Sequence, residues 1–253
     1  MQQSLKGKVA LITGGSRGLG AATAEALAER GADVAITYVA SADKAQAVVE
    51  KLKTKGVRAL AVRSDQADTA AAKPMVAQVL AHFGKLDILV NNAAIVAKGQ
   101  AVDDPDLDTA ALDRQWQVNV MGVVATTRAA APALSDGGRI VFIGSLNGTR
   151  ALISGVADYA GSKAAINGYA MGVARDLGRR NITVNVVQPG AMPTDMMASV
   201  FGGTEAPEAF LDLHPIRRIA TLDEVSALVC FLAGPSAGYM TGSVIDVAGG
   251  LGV

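Results

Sequence analysis

The chain has 253 residues, half of them apolar, enough to bury one sizeable core as a single domain spanning 1–253. Lys plus Arg and Asp plus Glu number 23 each, so no basic footprint points to nucleic acid or an anionic membrane. No apolar run is long enough to span a membrane, and residues 1–7 lack the charged-then-apolar order of a signal peptide; a cytoplasmic location is expected. Cys230 is the lone cysteine and lies on an apolar helical face, which suits core packing and leaves no internal disulfide. His82 and His214 have no ligand cluster beside them, so no histidine-based metal site is expected.

Short Val/Ile/Leu runs alternate with longer alanine-rich helical patterns. The runs predict strands at 8–13, 33–38, 57–62, 86–90, 138–144, 181–187 and 243–247. Helices are predicted at 18–30, 42–55, 69–83, 112–133, 157–179 and 222–232. The near-continuous apolar character of the strands suits a parallel sheet covered on both faces. The fold class is therefore α/β: a Rossmann-type, doubly wound sheet of about seven strands with right-handed crossovers. Such a sheet collects its ligands at the carboxyl ends of the strands.

The first predicted strand runs directly into Gly14-Gly-Ser-Arg-Gly18-Leu-Gly20 and then a helix. Strand, glycine-rich turn and helix deliver a pyrophosphate to free N–H groups at a helix N-terminus. Gly14 permits the tight turn, Gly18 lets backbone approach phosphate, and Gly20 allows close helix–strand packing. Ser16, Arg17 and Leu19 complete the loop. The spacing is T-G-x-x-x-G-x-G, not the commoner G-x-G-x-x-G. The second strand ends at Tyr38, followed by Val39, Ala40 and Ser41, with no acid at its tip. An acid there would hold a ribose 2′-hydroxyl and repel a 2′-phosphate. The arginine fork of Arg17, with Ser41 and Lys44 nearby in sequence, suits that phosphate; the alternative for Arg17 is a solvated loop charge. NADP(H) is expected in preference to NAD(H).

Tyr159 and Lys163 stand four residues apart, with Ser145 upstream and Asn119 further back. On a helix a four-residue step returns to nearly the same face. A lysine ammonium beside a phenol whose pKa is near ~10 favours phenolate, which makes the tyrosine competent in alcohol–carbonyl proton transfer.

These residues resemble the short-chain dehydrogenase/reductase family across essentially the whole chain. Thr13 to Gly20 is similar to its cofactor loop, and Asn91-Asn-Ala-Ala94 to the segment after its fourth strand. Asn119, Ser145, Tyr159 and Lys163 match its catalytic tetrad. Pro189, Gly190 and Thr194 match its segment near the nicotinamide. Ala94 replaces the usual glycine, and the Ser-to-Tyr spacing is slightly longer than common. The resemblance implies that Asp65 contacts adenine, unless it caps the next helix, and that Gln66 offers a backbone contact. It implies that Asn92, Ala93 and Ala94 line the adenosine side, unless the asparagine pair only stabilises a turn. It further implies that Tyr159 donates the proton, Ser145 orients the carbonyl oxygen, and Lys163 lowers the tyrosine pKa and binds ribose. Asn119 would hold a water linking the lysine to solvent, unless it is a buried asparagine satisfying helix carbonyls. Pro189, Gly190, Met192 and Thr194 would hold the nicotinamide.

Ser145, Leu146, Asn147, Leu152, Tyr159, Ala191 and Phe201, with Ile153, Met192 and Val200, are candidate pocket residues. They are mainly apolar and lack an arginine clamp, so a neutral, moderately hydrophobic ketone or alcohol is the expected small-molecule substrate. The stretches at 97–108 and 190–208 read as inserts over the site, the second as a substrate lid with a Phe201-Gly-Gly203 hinge. A 3-oxoacyl-thioester reductase stays open, with Arg179, Arg180, Arg217 and Arg218 as a conceivable carrier-protein patch. So does alcohol or sugar oxidation. A regulator without catalysis would not need all four tetrad residues, and enoyl reductases of this superfamily separate Tyr and Lys further. Family resemblance implies a homotetramer through helices 112–133 and 157–179 and the segment 242–253.

Overall fold

A computed structural model of the chain describes residues 4–97, 99–151, 153–203 and 205–253. Seven strands form one sheet: β1 (Val9–Ile12), β2 (Asp33–Tyr38), β3 (Ala59–Arg63), β4 (Leu86–Asn91), β5 (Leu134–Ile143), β6 (Thr183–Pro189) and β7 (Val244–Val247). Their order is β3-β2-β1-β4-β5-β6-β7, and every neighbouring pair is parallel. The order reverses between β1 and β4, which opens a crevice at their carboxyl ends.

The helices are α1 (Gly18–Glu29), α2 (Ala42–Lys53), α3 (Ala72–Phe83), α4 (Thr109–Trp116), α5 (Val123–Ala130), α6 (Ala157–Leu177), α7 (Asp195–Phe201), α8 (Glu208–Leu211) and α9 (Leu222–Ala233). Strand pleating divides the apolar side chains between the two faces. Ala10 and Ile12 join the core under α1, α2 and α9, with Leu27, Leu52, Val225 and Val229. Val9 and Leu11 join the opposite core, with Val79, Phe83, Ile166 and Val173 of α3 and α6. Both faces are buried, so the strands read as continuous apolar runs. At the amino end of the sheet the buried Asp87 carboxylate accepts from Val9 N at 2.9 Å and pairs with Lys8 and Lys85 at 3.4 and 3.0 Å. That cluster ties β4 to β1, the two strands flanking the crevice.

The strand expected at 138–144 begins earlier, at Leu134, and three further departures bear on the site. The helix expected over 112–133 is α4, a π-helical stretch over Gln117–Gly122, and α5, which ends at Ala130. The helix expected from 69 opens as a single 3-10 turn capped by Asp68, whose carboxylate accepts from Ala70 N at 3.0 Å; α3 begins at Ala72. The 190–208 stretch holds α7 and the start of α8. Gly202, read as a hinge, is the left-handed stop of α7 at φ 76°.

Candidate active site

The carboxyl ends of β1, β2 and β4 are sewn together by side chains. Thr13 Oγ1 accepts from the backbone N–H of Asn92 and of Ala93, both at 3.0 Å. Asn92 Nδ2 donates to Thr13 O at 2.8 Å and Gly14 O at 3.1 Å. Gly14 N donates to Thr37 Oγ1 at 3.0 Å. Gly14 and Gly18 have φ of 66° and 54°, a region that disfavours any residue with a Cβ. A Cβ on Gly20 would stand 2.4 Å from Gly14 O and 2.6 Å from Asn92 Nδ2. The close approach at Gly20 is thus to the loop and the Asn92 amide, not to a strand.

Arg17 begins α1 without a capping side chain, and the first turn carries no acid. The first-turn N–H groups therefore present an uncancelled positive dipole end to the crevice, which suits a phosphate. Ser16 is half-buried and Leu19 is buried beneath the loop. The guanidinium of Arg17 lies 3.3 Å from the carboxylate of Asp195, and both side chains are largely exposed. Tyr38 is half-buried at the tip of β2, where its carbonyl accepts from Ser64 N at 2.9 Å. Ser41 opens α2 without a side-chain cap. Asp65 accepts from Arg114 Nη2 on both oxygens, at 3.0 and 2.9 Å, and from Ala67 N at 2.9 Å. Arg114 and then the Ala67 N–H hold this carboxyl below its ordinary range. The helix cap is Asp68. Gln66 is pressed against the π-helical stretch: a Cβ on Gly122 would fall 1.8 Å from its carbonyl oxygen.

Ser145 follows β5 and caps a 3-10 turn over Leu146–Gly148, its Oγ accepting from Asn147 N at 3.2 Å. One face of α6 supplies Tyr159 and Lys163, with the ammonium 5.9 Å from the ring centroid. Lys163 is 4% exposed, and its Nζ donates to Ile143 O at 2.9 Å. Burial brings its pKa down from 10.5 to about 8. The Tyr159 phenol goes the other way: burial pushes it up, with a hydrogen bond from Ser145 acting in opposition. This corrects the expected lowering by Lys163. The upward direction comes from removing the phenolate from water, and the Lys163 ammonium, itself desolvated and directed at a carbonyl, is not among its causes.

Asn119 lies in the π-helical stretch and is 1% exposed. Its Oδ1 accepts from Ile95 N at 2.9 Å, and its Nδ2 donates to Ile95 O at 2.9 Å and Ser162 Oγ at 3.2 Å. Ser162 Oγ in turn donates to Tyr159 O at 2.8 Å. The amide therefore clamps the loop after β4 onto α6 through a loop residue, Ile95, and the Ser162 hydroxyl. Gln115 assists by accepting from Ala97 N at 2.7 Å. Single-turn departures from α-helical spacing recur at functional sites because they re-aim side chains. Ser145, Tyr159 and Lys163 are brought together directly, and Asn119 reaches Tyr159 through Ser162.

Beyond β6, Gly190 N donates to Val247 O at 3.0 Å, and a Cβ there would lie 3.1 Å from Ala248 Cα. Pro189 is buried at the strand end, Ala191 O accepts from Ala220 N at 3.0 Å, and Met192 packs against the α1/α9 core. Thr194 caps α7 by accepting from Met197 N at 3.3 Å. The sulfur of Met196 stands 4.0 Å from the Tyr159 hydroxyl. Met196, Asp195, Thr37, Gln115, Ser162 and Gly122 join the site without having stood out in the sequence, and Thr13 gains its role of binding Asn92 and Ala93. Only Thr13, beside the glycines, carried a local signal.

Among the pocket candidates, Asn147 is half-buried, while Ile153 and Val200 are exposed; Ala94, expected on the adenosine side, is half-buried. Leu146 is buried with Ala248 and Leu251 and the half-buried Phe210, so it supports the wall from behind. Phe201 packs on Phe210 with centroids 5.0 Å apart, and Phe210 on the buried His214 at 4.9 Å. Leu152 lies outside the described residues. Grooves of about 630 Å³ between α1 and α9 and about 170 Å³ beside Asp87 and Arg139 contain none of the tetrad; the site is defined by its side-chain constellation instead.

The arginines considered as a patch are dispersed. Arg180 binds Asp136 and the carbonyls of Ala131 and Leu134 at the amino end of β5. Arg217 pairs with Asp212 and Glu208, and Arg218 with Glu224, in the segment between α8 and α9. Among the described residues no group of three or more His, Cys, Asp or Glu could hold a metal ion, and no helix is long and apolar enough to cross a membrane. Burial pushes the Cys230 thiol up to about 11, as in a packed core position.

A family model described as enoyl-(acyl carrier protein) reductase matches residues 14–252. Versicolorin reductase 1 of Aspergillus parasiticus is 39% identical over 259 residues, covering 97% of each chain. A short-chain dehydrogenase/reductase from Serratia marcescens superposes with a TM-score of 0.91 at 45% identity, over 99% of this chain and all of that one. A short chain dehydrogenase from Burkholderia cenocepacia, solved in complex with NADP, gives 0.93 at 45% identity over the same shares. With the strand order, the uncapped α1 and the Ser–Tyr–Lys constellation in place, the chain belongs to the short-chain dehydrogenase/reductase family.

Proposed function

We propose that the protein is a cytoplasmic, NADPH-dependent ketoreductase of one domain, 1–253, that reduces a neutral, moderately hydrophobic ketone to a secondary alcohol. The observation that carries this reading is the meeting of Ser145, Tyr159 and Lys163 at the mouth of the crevice that the uncapped α1 terminus faces. NADPH, when bound, supplies the hydride. The residues that fit it are Gly14, Ser16, Arg17, Gly18, Leu19 and Gly20 around the phosphates, with Tyr38 and Ser41 beside a β2 tip that bears no acid. Asp65, Gln66, Asn92, Ala93 and Ala94 would border the adenosine. Pro189, Gly190, Met192 and Thr194 would border the nicotinamide.

Tyr159 donates its proton to the substrate oxygen while Ser145 orients and stabilises that oxygen. A phenol whose pKa is raised by burial stays protonated at neutral pH, which suits an acid in reduction. Lys163 holds the ribose and returns the proton. The candidates Ala191 and Phe201, with Asn147, would border the substrate, with Leu146 behind them. A 3-oxoacyl-thioester substrate loses support because Arg180, Arg217 and Arg218, three of the four arginines that could dock an acidic carrier, are engaged in ion pairs. The four-residue Tyr–Lys interval likewise speaks against enoyl reduction, despite the description of the matching family model. A homotetramer fits the exposed face of α6, where Met171 is 49% exposed and a Cβ on Gly168 or Gly172 would meet nothing.

Initial rates of NADPH and of NADH oxidation against neutral ketones, diketones and 3-oxoacyl thioesters test this reading. Ketone turnover with a clear NADPH preference is the expected result. Equal efficiency with both cofactors would refute the preference, and absence of binding to either nucleotide would refute the whole assignment.

A further inference from the structure

Three consecutive residues at the start of α7 each touch a different part of the site. The methyl of Thr194 would lie 3.5 Å from a Cβ on Gly18, so it covers the glycine loop. The Asp195 carboxylate is 3.3 Å from the Arg17 guanidinium. The Met196 sulfur is 4.0 Å from the Tyr159 hydroxyl. Arg17, Asp195, Met196 and Tyr159 therefore form one chain of contacts from the phosphate end of the crevice to the reacting hydroxyl. A substrate carbonyl oxygen must come within about 3 Å of that hydroxyl, and the thioether crowds its approach. The unbranched methionine side chain moves aside easily once α7 shifts. The exposed Arg17–Asp195 pair is weak enough to be exchanged, and a 2′-phosphate, with its greater charge and matching geometry, is the stronger partner for an arginine fork.

We propose that Asp195 is a specificity-determining residue that competes with the 2′-phosphate of the cofactor for Arg17, so that phosphate recognition frees the start of α7 and withdraws Met196 from Tyr159. The inference rests on the reading of Arg17 as the 2′-phosphate ligand. A cofactor without that phosphate leaves the ion pair in place and Met196 over the phenol. Discrimination between NADPH and NADH is then felt by the ketone as well as by the cofactor.

The test measures dissociation constants of NADPH and NADH for the full-length wild type, Asp195→Asn, Arg17→Ala and the double variant, at low and high salt. It also measures the KM of ethyl 3-oxobutanoate with each cofactor. Asp195→Asn is expected to tighten NADPH about three-fold at low salt, with the gain fading at high salt, and to leave NADH unchanged. In the Arg17→Ala background the same substitution should do nothing. The wild-type ketone KM should be higher with NADH than with NADPH, and Asp195→Asn should close that gap. An equal effect of Asp195→Asn on both cofactors, or an effect that persists without Arg17, overturns the proposal. An equal wild-type ketone KM with the two cofactors also overturns it. Unchanged NADPH affinity in Arg17→Ala alone overturns the Arg17 assignment itself, and the inference with it.

Discussion

Replacing Lys163 by methionine gives the sharpest test of how the buried site is held. In the folded protein the ammonium titrates at about 8, against an ordinary 10.5. Between those values the unfolded chain binds the extra proton, so the wild type gains stability as pH rises through the window. Below the window the buried charge destabilises the fold by about 3 kcal/mol, from roughly 1.4 kcal/mol per unit of pKa. The variant lacks this titration. It also leaves the Ile143 carbonyl without its donor, but that loss does not depend on pH and drops out of a comparison across pH. The wild type should therefore gain on Lys163→Met by about 2 kcal/mol between pH 7 and pH 9.5. Urea melts of both proteins at the two pH values, at one fixed protein concentration, measure the difference. A gap that stays constant across that range, or widens in the variant's favour, would refute the claim that the folded protein carries a desolvated ammonium here.

Other outcomes follow from the same geometry. Tyr159→Phe keeps the ring and removes the proton donor; kcat should fall by about 100-fold or more while titration shows NADPH binding retained, and substantial turnover would remove the phenol from its role. Gly20→Ala drives a methyl onto Gly14 O and Asn92 Nδ2. It should destabilise the protein by about 1–3 kcal/mol and weaken NADPH binding, so a variant with unaltered melting and affinity would contradict the close packing. Asp87→Ala leaves Val9 N unpaired at the amino end of β1 and should cost about 2 kcal/mol at neutral pH, moderated because Lys8 and Lys85 are half exposed. Burial raises the Asp87 pKa, but the Lys85 and Val9 hydrogen bonds and the lysine charges outweigh it, and the net shift is downward. That stabilisation is present above the ordinary carboxylate range and lost as pH falls through the folded value. The acid melting profile of Asp87→Ala should accordingly be flatter than that of the wild type.

The sequence by itself determined the alternation of strand and helix, the glycine loop and the Tyr159–Lys163 face. Each depends on local rules: strand pleat, helical repeat, and the φ that only glycine adopts readily, as at Gly14 and Gly18. Contacts between residues far apart in the chain were decided by tertiary structure. Asn119 found Ile95 and Ser162 because the π-helical stretch turned its amide toward the loop after β4. Asp65 found Arg114 across 49 positions, and Arg180, Arg217 and Arg218 of the conceivable patch turned to carboxylate partners. The segment from Asp195 to Phe201 is too short to show a helical repeat, yet as α7 it sets Met196 against the Tyr159 hydroxyl. The direction of the Tyr159 pKa was beyond reach for the same reason. Spacing along a helix reveals the neighbouring charge, but only the packed fold fixes how much water each group loses, and here that loss dominates.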